Sequence, residues 1–366
     1  MAEIDLGALQ RNARRIAERV APAKLLAVVK ADAYGHGAMA CARALAPHVW
    51  GFAVSLVEEG VELRRGGIET PIVVLGGVYG RSHQDVVAFR LTPVVWERAE
   101  IERFARAADE LAWGRVEVHV KIDTGMSRLG VRLERLADLL DGLRGQPAVT
   151  VGGLCTHLAE ADAEDEAPTL AQLGAFDEAR AMVEAAGFCD CVTHLANSAG
   201  ALRFPTARRD LVRPGLALWG QVPSPGVVPA PTEPLEPVMR LSTKIVALRA
   251  VPAGTGVSYG ARFRADRPSW IATIPIGYAD GYTRRMSGRA EVLVAGQRCK
   301  VVGAITMDMA MVDVTDVPAH PGDEVVLLGR QGEGAIRVEE LAAWADTIPW
   351  ETYCGFSKRV PRVYGG

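Results

Sequence analysis

Residues 25–65 read LLAVVKADAYGHGAMACARALAPHVWGFAVSLVEEGVELRR. Two apolar, β-branched runs (25–29 and 49–54) each end in a polar turn. The second leads into Val57–Arg65, where apolar residues recur at three- and four-residue spacing. The same alternation continues outward. Further runs lie at 71–75, 91–96, 116–122, 149–155, 191–195 and 211–218, with helix-period segments at 97–111, 133–143 and 170–186 between them. Eight strands with intervening helices predict a parallel sheet closed into a (β/α)8 barrel, an α/β TIM barrel. The runs are nearly continuous, as strands buried on both faces require. An open doubly wound sheet is the alternative, because sequence period does not register closure.

The texture changes at residues 223–237, PSPGVVPAPTEPLEP, which read as a linker. Beyond it, apolar runs at 238–251, 270–276, 291–302, 309–314 and 324–328 alternate with Gly/Pro turns, and a helix is expected at 338–345. The expectation is a barrel over 1–232 followed by a mostly β C-terminal domain over 233–366.

The chain's 366 residues suit two domains, and 49% hydrophobic with 23% charged residues excludes intrinsic disorder. No apolar run approaches the roughly 18 residues that cross a bilayer, and the N-terminus lacks a signal-peptide core. A net charge of −3 gives no footprint for nucleic acid or an acidic membrane. The six cysteines are too sparse for a disulfide framework, and Cys189 and Cys191 have no zinc spacing. Reduced thiols, no metal and a cytoplasmic protein are expected.

Candidate chemistry follows from the barrel, whose active site lies at the C-terminal strand ends. Only six of the 41 basic residues are lysines. Lys30, closing the run LLAVV, suits a Schiff base with an aldehyde or ketone. Tyr34 follows four residues later and could reach an anion over the same strand end, or be a rim tyrosine. In VEVHVKIDTGMSRLG, Lys121 lies inside the run and either serves the site or pairs with Asp123; Arg128 offers a fork matched to a carboxylate. His157 and His194 share the frame Thr-His-Leu-Ala, where a histidine is usually a core residue. Asn197 and Ser198 read as a helix start, either a phosphate cradle or a plain cap. Arg213 and Gly215 end run eight, where barrels recurrently bind phosphate. Tyr259, Tyr278, Met307 and Asp308 lie in turns of the second domain.

In order, AVVKADAYGHG, KIDTGMSRLG, THLAEAD, HLANSAG, RPGLALWG, VSYG, PIGYADGY and GAITMDM resemble alanine racemase, of the fold-type III pyridoxal phosphate enzymes, across essentially the whole chain. The resemblance implies a pyridoxal 5'-phosphate-dependent amino-acid racemase, an isomerase. Lys30 would carry the cofactor and act as base for the D-enantiomer. Tyr259, supplied by the partner subunit of a homodimer with shared active sites, would act on the opposite face for the L-enantiomer. Tyr34, Ser198 and the Gly215 backbone would hold the phosphate, with Asn197 nearby. Arg213 would meet the pyridine nitrogen, with His157 orienting Tyr259 or Arg213. Arg128 and the Met307 backbone would bind the substrate carboxylate, with Tyr278 lining the pocket. Lys121 matches a lysine that can be carbamylated and paired with Arg128. The resemblance also implies D-alanine supply for peptidoglycan, or alanine catabolism.

Three departures stand out. Trp350-Glu351 replaces the usual Tyr-Glu, and an indole accepts no hydrogen bond. Thr306 stands where cysteine is common, and Trp219 where tyrosine is common. Serine racemisation on the same fold, and a non-catalytic pyridoxal phosphate carrier, are the competing readings. Arg213 opposes a decarboxylase, which places an acid at the pyridine nitrogen.

Overall fold

The structure, a computed structural model, describes residues 1–229 and 231–366. It contains two compact units. One comprises Ala8–Ala33 and Ala38–Glu236; the other comprises Met1–Gly7, Tyr34–Gly37 and Pro237–Gly366.

The chain begins with strand β1 (Ala2–Asp5). A closed barrel follows, formed by β2 (Lys24–Val28), β3 (Gly51–Val54), β4 (Ile72–Val74), β5 (Thr92–Val95), β6 (Val116–Lys121), β7 (Val149–Cys155), β8 (Val192–His194) and β9 (Leu211–Val212). All neighbours are parallel, and β2 closes the ring on β9 through Lys24↔Leu211 and Leu25↔Val212. Closure thus excludes the open sheet. Leu25, Leu26, Ala27 and Val28 are all buried, which is why the run shows no alternation. Helices such as Val57–Arg65, Arg98–Glu110, Leu133–Arg144 and Ala167–Ala185 connect the strands.

The eighth run differs from expectation. Only Leu211–Val212 is strand; the chain then passes through Arg213-Pro214-Gly215 into a 3-10 turn, Leu216–Trp219. Pro214 has no N–H to continue a ladder.

The second unit is built on a ten-stranded sheet. Its strands are β1, β10 (Met239–Lys244), β11 (Ala247–Val251), β14 (Ser269–Ile274), β15 (Glu291–Val294), β16 (Gln297–Val302), β17 (Ala310–Asp313), β18 (Glu324–Gln331), β19 (Gly334–Ile336) and β20 (Arg362–Gly365); the short pair β12 (Gly256–Val257) and β13 (Phe263–Arg264) stands apart. The run at 238–251 divides because β10 pairs with β18 whereas β11 pairs with β14. The run at 291–302 is a hairpin, turned at Ala295 and Gly296 with φ of 49° and 77°. The helix Val338–Ala345 lies where expected, and a second helix, Pro349–Gly355, follows it. The N-terminal residues, read as part of 1–232, belong here because β1 pairs with β10 and β20.

Candidate active site

Lys30 follows β2 and opens a turn of unusual hand. Ala31, Asp32, Ala33 and Tyr34 have φ between 52° and 55°. Left-handed helical backbone costs L-residues about 1–2 kcal/mol each, so four in succession must be held from outside. Gly35 and Gly37 continue the positive φ. A Cβ on Gly35 would lie 2.5 Å from the Tyr353 carbonyl oxygen, so only glycine lets the turn approach the helix Pro349–Gly355. Tyr34 is buried, and burial raises its phenol pKa; its carbonyl lies 3.0 Å from His36 Nδ1.

Lys121 ends β6. The following loop folds back on the strand, as Val131 N donates to Lys121 O at 2.8 Å and Asp123 N to Val131 O at 2.9 Å. Asp123 Oδ1 accepts from Gly125 N (3.1 Å) and Ser127 N (3.0 Å), so its carboxylate shapes this loop, which carries exposed Arg128. Lys121 is buried, and its amine pKa is lowered by burial and by the charges of Arg213, Arg128 and Lys30, against the opposing influence of Cys155. His157, beyond β7, is held well below its ordinary pKa by burial and by Arg213, Arg128, Lys121 and Lys30. The charges acting on it are all positive. Gln172 fixes this segment, donating to His157 O (3.0 Å) and Thr124 Oγ1 (3.1 Å) and accepting from Ala159 N (2.8 Å).

Arg213 is fully enclosed after β9. Nη1 donates to His194 O (2.6 Å) and His194 Nδ1 (2.8 Å). Nη2 faces Thr156 O (2.6 Å), Leu195 O (2.9 Å) and His157 Nδ1 (3.2 Å). Both terminal nitrogens are therefore committed to protein, while Nε–H makes none of these bonds. The orientation that follows is a guanidinium fixed rigidly with one donor left over.

Ser198 is the first residue of the helix Ser198–Arg203. Its Oγ accepts from Gly215 N (3.0 Å) and Ala217 N (3.2 Å), leaving the hydroxyl proton to point elsewhere. Asn197 is the cap itself, its Oδ1 accepting from Gly200 N at 2.9 Å, so its side chain is engaged within the helix start.

In the second unit, three segments are tied together. Ser258 Oγ donates to Ala304 O (2.7 Å), Tyr278 N to Thr306 O (3.0 Å) and Ala279 N to Met307 O (3.0 Å). Tyr259, Tyr278 and Met307 are carried on these segments, and all are exposed, Tyr259 by 73%. Ser258 and Gly260, flanking Tyr259, have φ of 62° and 72°. Arg359 bridges Asp280 (3.2 Å) and Asp308 (2.7 Å) across the same segments. Trp350 is half-buried in the helix Pro349–Gly355.

Residues 4–223 match the alanine racemase N-terminal domain family, and residues 238–364 the alanine racemase C-terminal domain family. The chain belongs to the alanine racemase family. The alanine racemase of Sorangium cellulosum is 44% identical over 375 residues, spanning 99% of this chain and 98% of its own. Among solved structures, the alanine racemase of Streptomyces coelicolor A3(2) superposes with a TM-score of 0.94 at 37% identity, over 99% of this chain and 97% of that one. The alanine racemase of Bartonella henselae, solved with covalently bound pyridoxal phosphate, gives 0.89 at 31% identity, over 100% and 99%.

The residues present fit that cofactor. Lys30, Lys121, Arg128 and Arg213 all act to lower the His157 pKa, so basic groups converge here, the chemistry a phosphate and a carboxylate require. Ser198 Oγ, with its proton unassigned to any protein acceptor, suits a phosphate oxygen, and the spare Arg213 Nε–H suits a ring nitrogen. Among the described residues, no group of three His, Cys, Asp or Glu could hold a metal, and no helix is long and apolar enough to cross a membrane.

Three contributors escape a reading of the sequence. His119 lies inside VEVHVK and contacts His194, 75 residues away, at 2.8 Å. Its ring fits because position 153 is glycine; a Cβ there would lie 2.6 Å from it. His194, read as a core histidine, supports Arg213, and Gln172 pins the His157 loop. A polar residue interrupting an apolar run was the one signal available.

Proposed function

We propose that this chain interconverts L- and D-alanine with pyridoxal 5'-phosphate held at Lys30. When bound, the group withdraws electrons and acidifies the substrate Cα–H. Everything else falls to the chain's own residues. Lys30 moves the proton on the face of the D-enantiomer, and Tyr259 of a partner subunit moves it on the opposite face. Ordinary lysine and tyrosine are weak bases near neutrality, at about 10.4 and 10, so surrounding cations are needed to favour their deprotonated forms. Tyr34, Ser198 and the Gly215 backbone bind the phosphate, with Asn197 shaping that helix start. Arg128 and the Met307 backbone orient the substrate carboxylate, and Tyr278 lines the pocket. Lys121, its amine favoured in the neutral form, takes up carbon dioxide and steadies Arg128.

The observation that carries this reading is Arg213. Its Nη groups are fixed by five protein acceptors, and an arginine keeps its proton. Toward a bound cofactor it could act only as a donor, so it would leave the ring nitrogen unprotonated, which would favour proton return over transamination. His157, 3.2 Å from Arg213 Nη2, helps to orient it.

We also propose a homodimer, in which the C-terminal β-rich unit of one subunit completes the site on the partner's barrel. Tyr259, Tyr278, Met307 and Met309 are large exposed apolar side chains, the composition of a surface that a partner covers. The product supplies D-alanine for peptidoglycan in the cytoplasm, or the enzyme feeds catabolism.

The test is to incubate the purified protein with L-alanine and L-serine separately and resolve the products on a chiral column. D-alanine formation is expected; turnover of serine alone would replace alanine as the substrate. Borohydride reduction should abolish the yellow colour and label Lys30. A colourless, inactive protein after incubation with the cofactor would remove the proposal.

A further inference from the structure

The left-handed turn after Lys30 is clasped by two carboxylates. Asp32 Oδ1 accepts from Ala38 N at 2.6 Å, closing the turn on its own chain. The other comes from the next βα unit. Glu59 is the third residue of the helix Val57–Arg65, and its Oε2 accepts from Ser55 N (2.7 Å) and Leu56 N (3.0 Å), as a helix-capping glutamate does. Its Oε1 does something a cap does not require. It accepts from Ala31 N at 2.6 Å, the peptide N–H immediately after Lys30.

One carboxylate thus ties the ends of two neighbouring barrel strands, β2 and β3, at the residue that follows the reactive lysine. The bond falls at the first of the four strained residues, where a small backbone rotation would be magnified along the lysine side chain. Val29 N, just before Lys30, is also tied to β3, donating to Ala53 O at 2.9 Å. Lys30 is therefore bracketed: a sheet bond precedes it, and a charge-assisted bond follows it.

We propose that Glu59 is a positioning residue for Lys30: by fixing Ala31 N it holds the left-handed turn, and so sets where the Lys30 amine stands relative to the cofactor and to the substrate's α-carbon. The proposal rests on the reading of Lys30 as the cofactor-bearing amine. A neutral amide is a poor substitute for this carboxylate. The side chain of a Glu59→Gln variant would offer one accepting oxygen to two separate donor groups and turn an NH2 toward the other.

The test uses the holoenzyme and its Glu59→Gln variant. Hydroxylamine strips the cofactor from its lysine, and the loss of visible absorbance gives a rate. Loss of one charge-assisted bond should speed stripping by roughly tenfold and lower kcat by a similar factor, while KM for alanine, set by Arg128, changes by less than about twofold. A variant with a lowered melting temperature but wild-type stripping and kcat would make Glu59 a helix cap only, and overturn the proposal. If the glutamine variant does not fold, Glu59→Asp keeps the charge but is too short to serve both elements; stripping faster than wild type supports the proposal, and wild-type stripping ends it. Borohydride labelling and peptide mapping separate the two layers. Label on Lys30 with unchanged stripping removes the Glu59 role alone. Label on another lysine in the wild type removes the cofactor-lysine reading, and the inference with it.

Discussion

His119 Nδ1 and His194 Nε2 lie 2.8 Å apart at the centre of the barrel, and the direction of their hydrogen bond is fixed. Arg213 Nη1 can only donate, so His194 Nδ1 accepts from it. His194 must then carry its proton on Nε2 and donate to His119 Nδ1, which puts the His119 proton on Nε2. A one-way chain thus runs from the buried guanidinium to His119, whose Nε2 lies 3.9 Å from Glu117 Oε1. Both rings must be neutral for the chain to exist.

This arrangement makes stability depend on pH. Burial, with Arg213 next in effect, lowers the His119 pKa to about 4. His194 is likewise held well below its ordinary value by burial, Arg213 and His119. The unfolded chain binds these protons first, near pH 6.5. Stability is therefore full above about 6.5 and falls as the pH drops toward 4, by roughly 3 kcal/mol for His119 alone. Urea midpoints should decrease between about pH 7 and 5, and His119→Asn should flatten that slope. An unchanged slope in the variant would place the titration elsewhere.

Tyr259→Phe should separate the two proton transfers. Racemisation is expected to fall by about 10²–10⁴-fold, and kcat/KM must fall equally in both directions because enantiomers have equal free energies. In deuterium oxide, D-alanine should still exchange its α-hydrogen with retention of configuration, through Lys30. Proton NMR with chiral chromatography reads both. Loss of exchange along with racemisation would sink the assignment of separate bases to separate faces.

Lys121 should react with carbon dioxide. The neutral amine nitrogen attacks the carbon, an N–C bond forms as one C=O π bond breaks and its electron pair moves to oxygen, and the proton on nitrogen leaves to solvent. Burial and the nearby Arg213, Arg128 and Lys30 favour the neutral amine that this needs. Carbon-13 bicarbonate should give a carbamate signal that Lys121→Ala abolishes. The variant should raise KM for alanine by roughly tenfold, and a short carboxylic acid should restore part of the loss.

Gly277→Ala should disturb the substrate pocket through the backbone. The added Cβ would lie 2.3 Å from Thr306 O and 2.4 Å from Met307 O. Because these are backbone atoms, the segment bearing Met307 must shift, at a cost of about 1–3 kcal/mol. A lower melting temperature and a higher KM for alanine are expected, with the cofactor colour retained. An unaltered KM would detach Met307 from substrate binding.

Much of this protein was written along the chain. Burial on both faces imposes continuous apolar runs, and helical packing imposes the three- and four-residue spacing, so eight βα units could be counted without a structure. Helices Val57–Arg65 and Val338–Ala345 fall where the spacing places them. Lys30 and Arg213 were marked as polar residues at the ends of such runs, and Lys121 as one inside a run. The limits also have physical causes. A hairpin turned by Ala295-Gly296 looks like one long strand when both arms are apolar, and β1 escapes notice when its partners are distant in sequence.

The sequence by itself determined the periodic elements and the kinds of charge at the barrel's strand ends, because each element's pattern reports only whether its own residues are wetted or buried. Tertiary structure alone decided which groups meet. His119 faces His194, Arg213 finds five acceptors in two segments, and Glu59 reaches Ala31, 28 residues away, only once a closed ring sets neighbouring strands side by side. Hydrogen bonds between such residues depend on closure and register, and neither leaves a mark in local periodicity.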